Sequence, residues 1–172
     1  MIGYFIQILT AGIASFGFAV LYNVKGKRLI IPFIGGILSW ALYLMLMFLN
    51  NEILQCLFTT IFLTLYTEIA ARIIKTPTTT FLVPNLIILI PGGSLYYAIN
   101  YAIRSDWLNF ILKGKETLFI AAAIAAGIMI VSSTIKIIYK ISIRYFPSML
   151  LLYMVESFLI FLNHLMVVLV LG

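Results

Sequence analysis

Six times in 172 residues the sequence stays apolar for about twenty positions, over roughly 2–22, 29–49, 53–71, 81–103, 118–139 and 149–171. A helix of that length, rising 1.5 Å per residue, matches the ~30 Å hydrocarbon core of a bilayer. Inside lipid no water reaches the backbone, so a spanning segment must be an α-helix or part of a closed barrel. The runs show no period-two alternation, which argues against the barrel. The expectation is an all-α integral membrane protein of about six transmembrane helices. Only 9% of residues are charged and 64% are hydrophobic, whereas a soluble domain is about a quarter charged. The first run lacks a basic leader and is long enough to span, so it reads as a retained helix and not a cleaved signal.

Charge then orients the spans. Lys and Arg outnumber acids 11 to 5, but they sit in short runs between apolar segments, as membrane topology requires. No basic stripe with interleaved aromatics lies outside the spans, which argues against nucleic acid. The loop NVKGKR carries three basic residues, NNE at 50–52 carries none, and Arg72 with Lys75 flank the third span. Lys136, Lys140 and Arg144 mark the end of the fifth. With these on the cytoplasmic side, both termini face outward. The loop RSDWLNFILKGKET (104–117) then falls outside despite its three basic residues. Trp107, Leu108 and Ile111 share one helical face, so this loop reads as an amphipathic helix in the interface. The single Cys56 allows no internal disulfide.

The fourth run is irregular. FLVPNLIILIPGGSLYYAINYAI (81–103) places Pro84 and Pro91 seven residues apart, with Gly92, Gly93 and Ser94 after the second. A proline inside a helix removes a donor and clashes with the preceding turn, at a cost of roughly 3 kcal/mol. A break is expected near Pro91, tolerated only within protein or beside a water-filled cavity. The half-helix that follows would present free N–H groups and a positive dipole end, which suit a carboxylate. The alternative is a proline kink packed against neighbouring helices, with glycines for close contact.

In this segment KTPTTTFLVPNLIILIPGGSLYYAI (75–99) resembles the signature of the threonine/serine exporter family, ending in P-G-x-x-x-Y at Pro91, Gly92 and Tyr96. GFAVLYNVKGKRLIIPFIGGILSWALYLML (17–46) is similar to the family's first loop and second span, with Asn23-Val24, Arg28 and Gly35-Gly36 in the corresponding places. With the small-residue fifth span, the resemblance covers about 20–140. It implies a multi-span inner-membrane exporter of small hydroxy amino acids, some members handling dicarboxylates such as succinate. It also implies two modules, fused or separate, of which this chain resembles the smaller, C-terminal one. A partner chain like the larger module is therefore expected, or else a homo-oligomer. Two departures stand out. Trp40 and Tyr43 occupy the region where relatives carry a basic residue, so no charged clamp is carried over there. Residues 141–172 form an extension with an additional span, beyond the exporter-like domain of 1–140.

Other polar residues lie within the spans. Glu68 and Arg72, four apart, can pair across one turn as a structural pair, or serve as a gate or proton relay. Thr60, Thr64 and Thr67 fall within about 60° on one helix, either bonding their own backbone or lining a polar path. Glu156 lies within the last apolar run with Tyr153 and Asn163 on its face; a proton-coupling acid, a subunit contact and a structural role all remain open for it. Ala123 and Gly127 form a small-residue packing face. With one His and one Cys, the chain has no metal-ligand cluster, Ser-His-Asp set or nucleotide loop, and it calls for no cofactor.

The expected function is therefore a subunit of a secondary transporter in the inner or plasma membrane, embedded in lipid and proton-coupled. It would export small carboxylate-bearing solutes. Asn85, Pro91, Gly92, Gly93, Ser94 and Tyr96 form the expected substrate site. The rival reading is a non-transporting membrane scaffold whose break receives a partner helix.

Overall fold

The computed structural model describes residues 2–142, in helices joined by short connections. In chain order these are α1 (Ile2–Leu21), α2 (Ile30–Met45), α3 (Glu52–Ile74), α4 (Thr79–Leu86), α5 (Gly92–Ile103) and α6 (Trp107–Ser142). Short 3-10 turns at Gly26–Leu29, Leu46–Leu49 and Ile87–Leu89 extend α2 at both ends and α4 at its C-terminus. The chain divides into two compact units, Met1–Ser133 and Thr134–Gly172. The packing and the cavity described here belong to the first. The expected sixth span, the 141–172 extension beyond Ser142, and Glu156 lie outside the described residues.

Side chains fix where several helices start. Asn51 caps α3, its Oδ1 accepting from Ile53 N–H at 3.1 Å and Leu54 N–H at 3.3 Å, which satisfies two of the otherwise orphaned donors of the first turn. Asp106 does the same for α6 through Asn109 N–H at 3.3 Å. Three helix ends close alike. Asn23, Lys75 and Ser105 take left-handed φ values of 60°, 55° and 58°. In each case the next N–H reaches back to a carbonyl five residues earlier: Val24 to Ala19, Thr76 to Ala71, Asp106 to Tyr101. These are Schellman closures made without glycine.

α1 and α2 cross closely because their contact face is small. A Cβ added at Gly36 would fall 2.8 Å from the Ala11 carbonyl and 2.7 Å from Ser15 Oγ, and one at Gly12 would strike Ile37. α4 lies against both helices and against α3. Ala19, Val24, Ala71 and Phe81 form a buried cluster, so the α1–α2 and α3–α4 connections share one end of the bundle. That end carries Lys25, Lys27, Arg28, Arg72 and Lys75, the expected cytoplasmic side. The outward faces carry exposed Ile13, Phe58, Leu65 and Ile69, as lipid requires.

Among the described residues four helical stretches are long and apolar enough to cross a membrane: Gly3–Leu21, Gly26–Leu49, Glu52–Ile74 and Trp107–Ile137. Thr79–Leu89 and Gly92–Ile103 pass the same test as a pair, bent by 54° at the break between them. The chain is an all-helical, multi-pass membrane protein whose fourth span is broken where Pro91 falls. The expected boundary between the 104–117 loop and the fifth span is corrected. No proline and no cap interrupts 107–142, so the loop helix and the span fuse into one helix of 36 residues.

Candidate functional site

The break is built by two residues. Ile90, held out of the helical region by the proline after it, is extended at φ −61°, ψ 130°. Pro91 follows at φ −74°, ψ 61°. Gly92 N–H bonds Ile90 O at 2.7 Å, and Leu95 N–H closes the first turn of α5 on Pro91 O at 3.0 Å. Between them the amides of Gly93 and Ser94 have no backbone acceptor among the described residues. The first turn of α5 thus holds open donors at its positive end. A Cβ at Gly92 or Gly93 would meet nothing within 4 Å.

These residues line a cavity of about 170 Å³, over ten times the ~10–15 Å³ that one water occupies by this measure. Pro91, Gly92, Gly93 and Ser94 form one wall, with Ile88, Leu89 and Ile90 before them. Trp40 and Tyr43 from the end of α2, Glu52 and Cys56 from the start of α3, and Ile120 from α6 complete it. Trp40 and Tyr43, three apart on one face, stack at 5.1 Å between ring centroids. Tyr43 Oη donates to Glu52 Oε1 at 3.4 Å. The Trp40 Nε1–H is buried without an acceptor among the described residues. Just behind the wall, Ser94 Oγ donates to Glu116 Oε1 at 3.2 Å, and Lys113 Nζ donates to Glu116 Oε2 at 2.6 Å. Residues 104–117 therefore stand at the Glu52 end of the bundle, away from the basic loops.

Of the expected site residues, four come together in this cavity and two do not. Asn85 is fully buried. Its Oδ1 accepts from Ser15 Oγ at 2.7 Å and its Nδ2 donates to Phe81 O at 3.0 Å. It ties α4 to α1 beneath Gly35, where an added Cβ would lie 2.6 Å from Asn85 Nδ2. Tyr96 is 65% exposed and stands edge-on to Tyr97 at 5.6 Å, outside the cavity lining. Glu68 and Arg72 pair at 3.2 Å, about 24 Å along α3 from Glu52. Thr60, Thr64 and Thr67 bond their own helix: Thr60 to Cys56 O, Thr64 to Thr60 O, and Thr67 to Leu63 O and Thr64 O. Beside them the buried Thr59 Oγ1 has no partner among the described residues.

Glu52 and Cys56 are members of the cavity that sequence reasoning did not select. The only local signal was an acid beside the Asn51 cap, which reads as an ordinary helix start.

A family model described as threonine/serine exporter, ThrE, matches residues 7–134. The chain belongs to the threonine/serine exporter family. The match takes in Asn85, the whole break and every residue lining the cavity. No curated protein and no solved structure matches the chain. Membership makes this exporter-family chain a transport protein, and it places the cavity within the part of the sequence that the family shares.

Proposed function

We propose that the chain is the smaller subunit of an exporter for small carboxylate-bearing solutes such as threonine and serine, and that the cavity at the break is its substrate site. The substrate carboxylate docks on the amides of Gly93 and Ser94, with the Ser94 hydroxyl beside them. The observation that carries this reading is the open first turn of α5 facing a cavity of about 170 Å³ within a threonine/serine exporter chain. Broken helices in transporters meet anionic groups in the same way.

The remaining parts follow from the family and the charge pattern. The chain sits in the inner or plasma membrane with its basic loops in the cytoplasm. Export runs on the proton gradient, since the sequence offers no nucleotide-binding motif. Glu68 and Arg72, at the cytoplasmic end, form the gate or relay on that side. Alternating access rocks one bundle against another, and five or six helices are few for that. A partner like the larger module, or a second copy, completes the machine.

The test is efflux of threonine, serine and succinate from preloaded cells expressing the chain with and without the partner. Efflux that needs both chains, and that Gly93→Leu abolishes in a stably inserted protein, supports the proposal. Normal efflux by Gly93→Leu rejects the site. The scaffold reading is distinguished by a cysteine at position 93 with Cys56 replaced. Reaction with a small polar thiol reagent means water reaches the break, and no reaction means a partner helix fills it.

A further inference from the structure

Among the side chains lining the cavity one is charged, and it is an acid. Glu52 enters from the first turn of α3, opposite in character to the amide donors of Gly93 and Ser94. We infer that Glu52 is the selectivity residue of this site: it receives the ammonium group of a zwitterionic substrate and turns dicarboxylates away. The inference rests on the reading of the cavity as the substrate site.

An acid in the first turn of a helix has an ordinary use against the helix dipole, and Glu52 serves it. Its side chain does more. The cap of α3 is already made by Asn51, through Ile53 and Leu54. Glu52 instead reaches across to α2, where Tyr43 holds Oε1 at 3.4 Å, and Oε2 has no partner among the described residues. Lys113, the cation standing behind this wall, is bonded to Glu116 at 2.6 Å and acts on Glu52 through space, without a hydrogen bond to it. No lysine or arginine among the described residues lines the cavity.

That charge pattern decides between substrates. A dicarboxylate brings two negative groups to a site with one set of anion donors, and its second carboxylate meets the like charge of Glu52. An α-amino acid brings one group of each sign and satisfies both walls. The buried Trp40 Nε1–H can only donate. It therefore favours an oxygen of the substrate, whether hydroxyl or carboxylate, and adds nothing for an ammonium. Among the lining side chains Glu52 is the anionic acceptor for the amine.

The experiment measures binding to the full chain in lipid nanodiscs, by calorimetry, of L-threonine, 3-hydroxybutyrate and succinate. 3-Hydroxybutyrate keeps the carboxylate and hydroxyl of threonine and lacks only the amine. The wild type should prefer threonine to both by about tenfold or more, as a charged hydrogen bond implies. Glu52→Gln should bring the threonine to 3-hydroxybutyrate ratio close to one, and Glu52→Asp should keep part of the preference. A role confined to the start of α3 would weaken all three ligands alike and leave the ratio unchanged, which overturns the inference. Wild-type preference for succinate overturns it as well. Gly93→Leu separates the two levels. If it abolishes binding while Glu52→Gln leaves the ratio intact, the site stands and the selectivity role falls. If Gly93→Leu leaves threonine binding unchanged, or the wild type binds none of the three, the site falls and the selectivity role with it.

Discussion

The chain contains two glycine pairs in its spans, and they do opposite things. Gly35-Gly36 sits where α1, α2 and α4 meet, and neither position has room for a methyl group. Gly92-Gly93 opens α5, and neither position has a neighbour within 4 Å. The first pair allows helices to approach until Ser15, Asn85 and Tyr66 can reach across: Tyr66 Oη bonds Ile31 O at 3.0 Å, beside the Ser15–Asn85 bond at 2.7 Å. The second leaves backbone amides uncovered. The same dipeptide thus closes the protein at one site and opens it at another. What differs is whether the surrounding helix is continuous or has just been broken by a proline.

The largest effect should come from filling the closed pair. Gly36→Ala pushes a methyl group into the α1 backbone and should cost about 1–3 kcal/mol, as overpacking does, with Gly36→Leu failing to accumulate as folded protein. Thermal unfolding in detergent reads this. An unchanged midpoint for Gly36→Ala would dissolve the contrast. Next comes the polar node that the close approach permits. Asn85→Leu leaves Ser15 without its acceptor and should cost about 1–3 kcal/mol. A double-mutant cycle with Ser15→Ala should show coupling of about 0.6–1.7 kcal/mol, the span found for interhelical pairs in membranes. Coupling near zero would mean that packing alone holds α4 on α1. A smaller loss, about 0–1 kcal/mol, is expected for Glu68→Gln, because its partner Arg72 is partly exposed and such pairs are worth little. Gly92→Ala should change stability least, within about 0.5 kcal/mol. A loss as large as that of Gly36→Ala would show that the open pair is covered in the assembled protein.

Much of this was legible in the sequence, for reasons that differ by element. The length and apolarity of the runs set the helices, since lipid permits little else. The break was legible because Ile90-Pro91 must leave the helical region wherever it occurs. Asn85 reads as part of the break from its place between two prolines. Yet Pro84 bends nothing outright, and the chain stays helical through Leu89. A buried amide looks the same in sequence whether it binds a ligand or another helix. The fusion of 107–142 into one helix is hidden in the sequence because KGKET reads as polar loop. In the structure, Gly114 is carried inside a helix held by the Asp106 cap and the Lys113–Glu116 pair. Glu52 was illegible for a different reason. The cavity it lines brings it beside residues about forty positions away, and no local pattern encodes that juxtaposition.

The Schellman closures at Asn23, Lys75 and Ser105 have a mechanical consequence. Each corner is short, hydrogen-bonded on both sides and locked in a conformation that non-glycine residues leave only by breaking those bonds. Such corners have little slack and transmit displacement instead of absorbing it. Ile90 and Pro91, where no helical bond crosses, are a softer joint than these three corners. Bending between α4 and α5 falls on that joint, and here the joint is also a wall of the cavity.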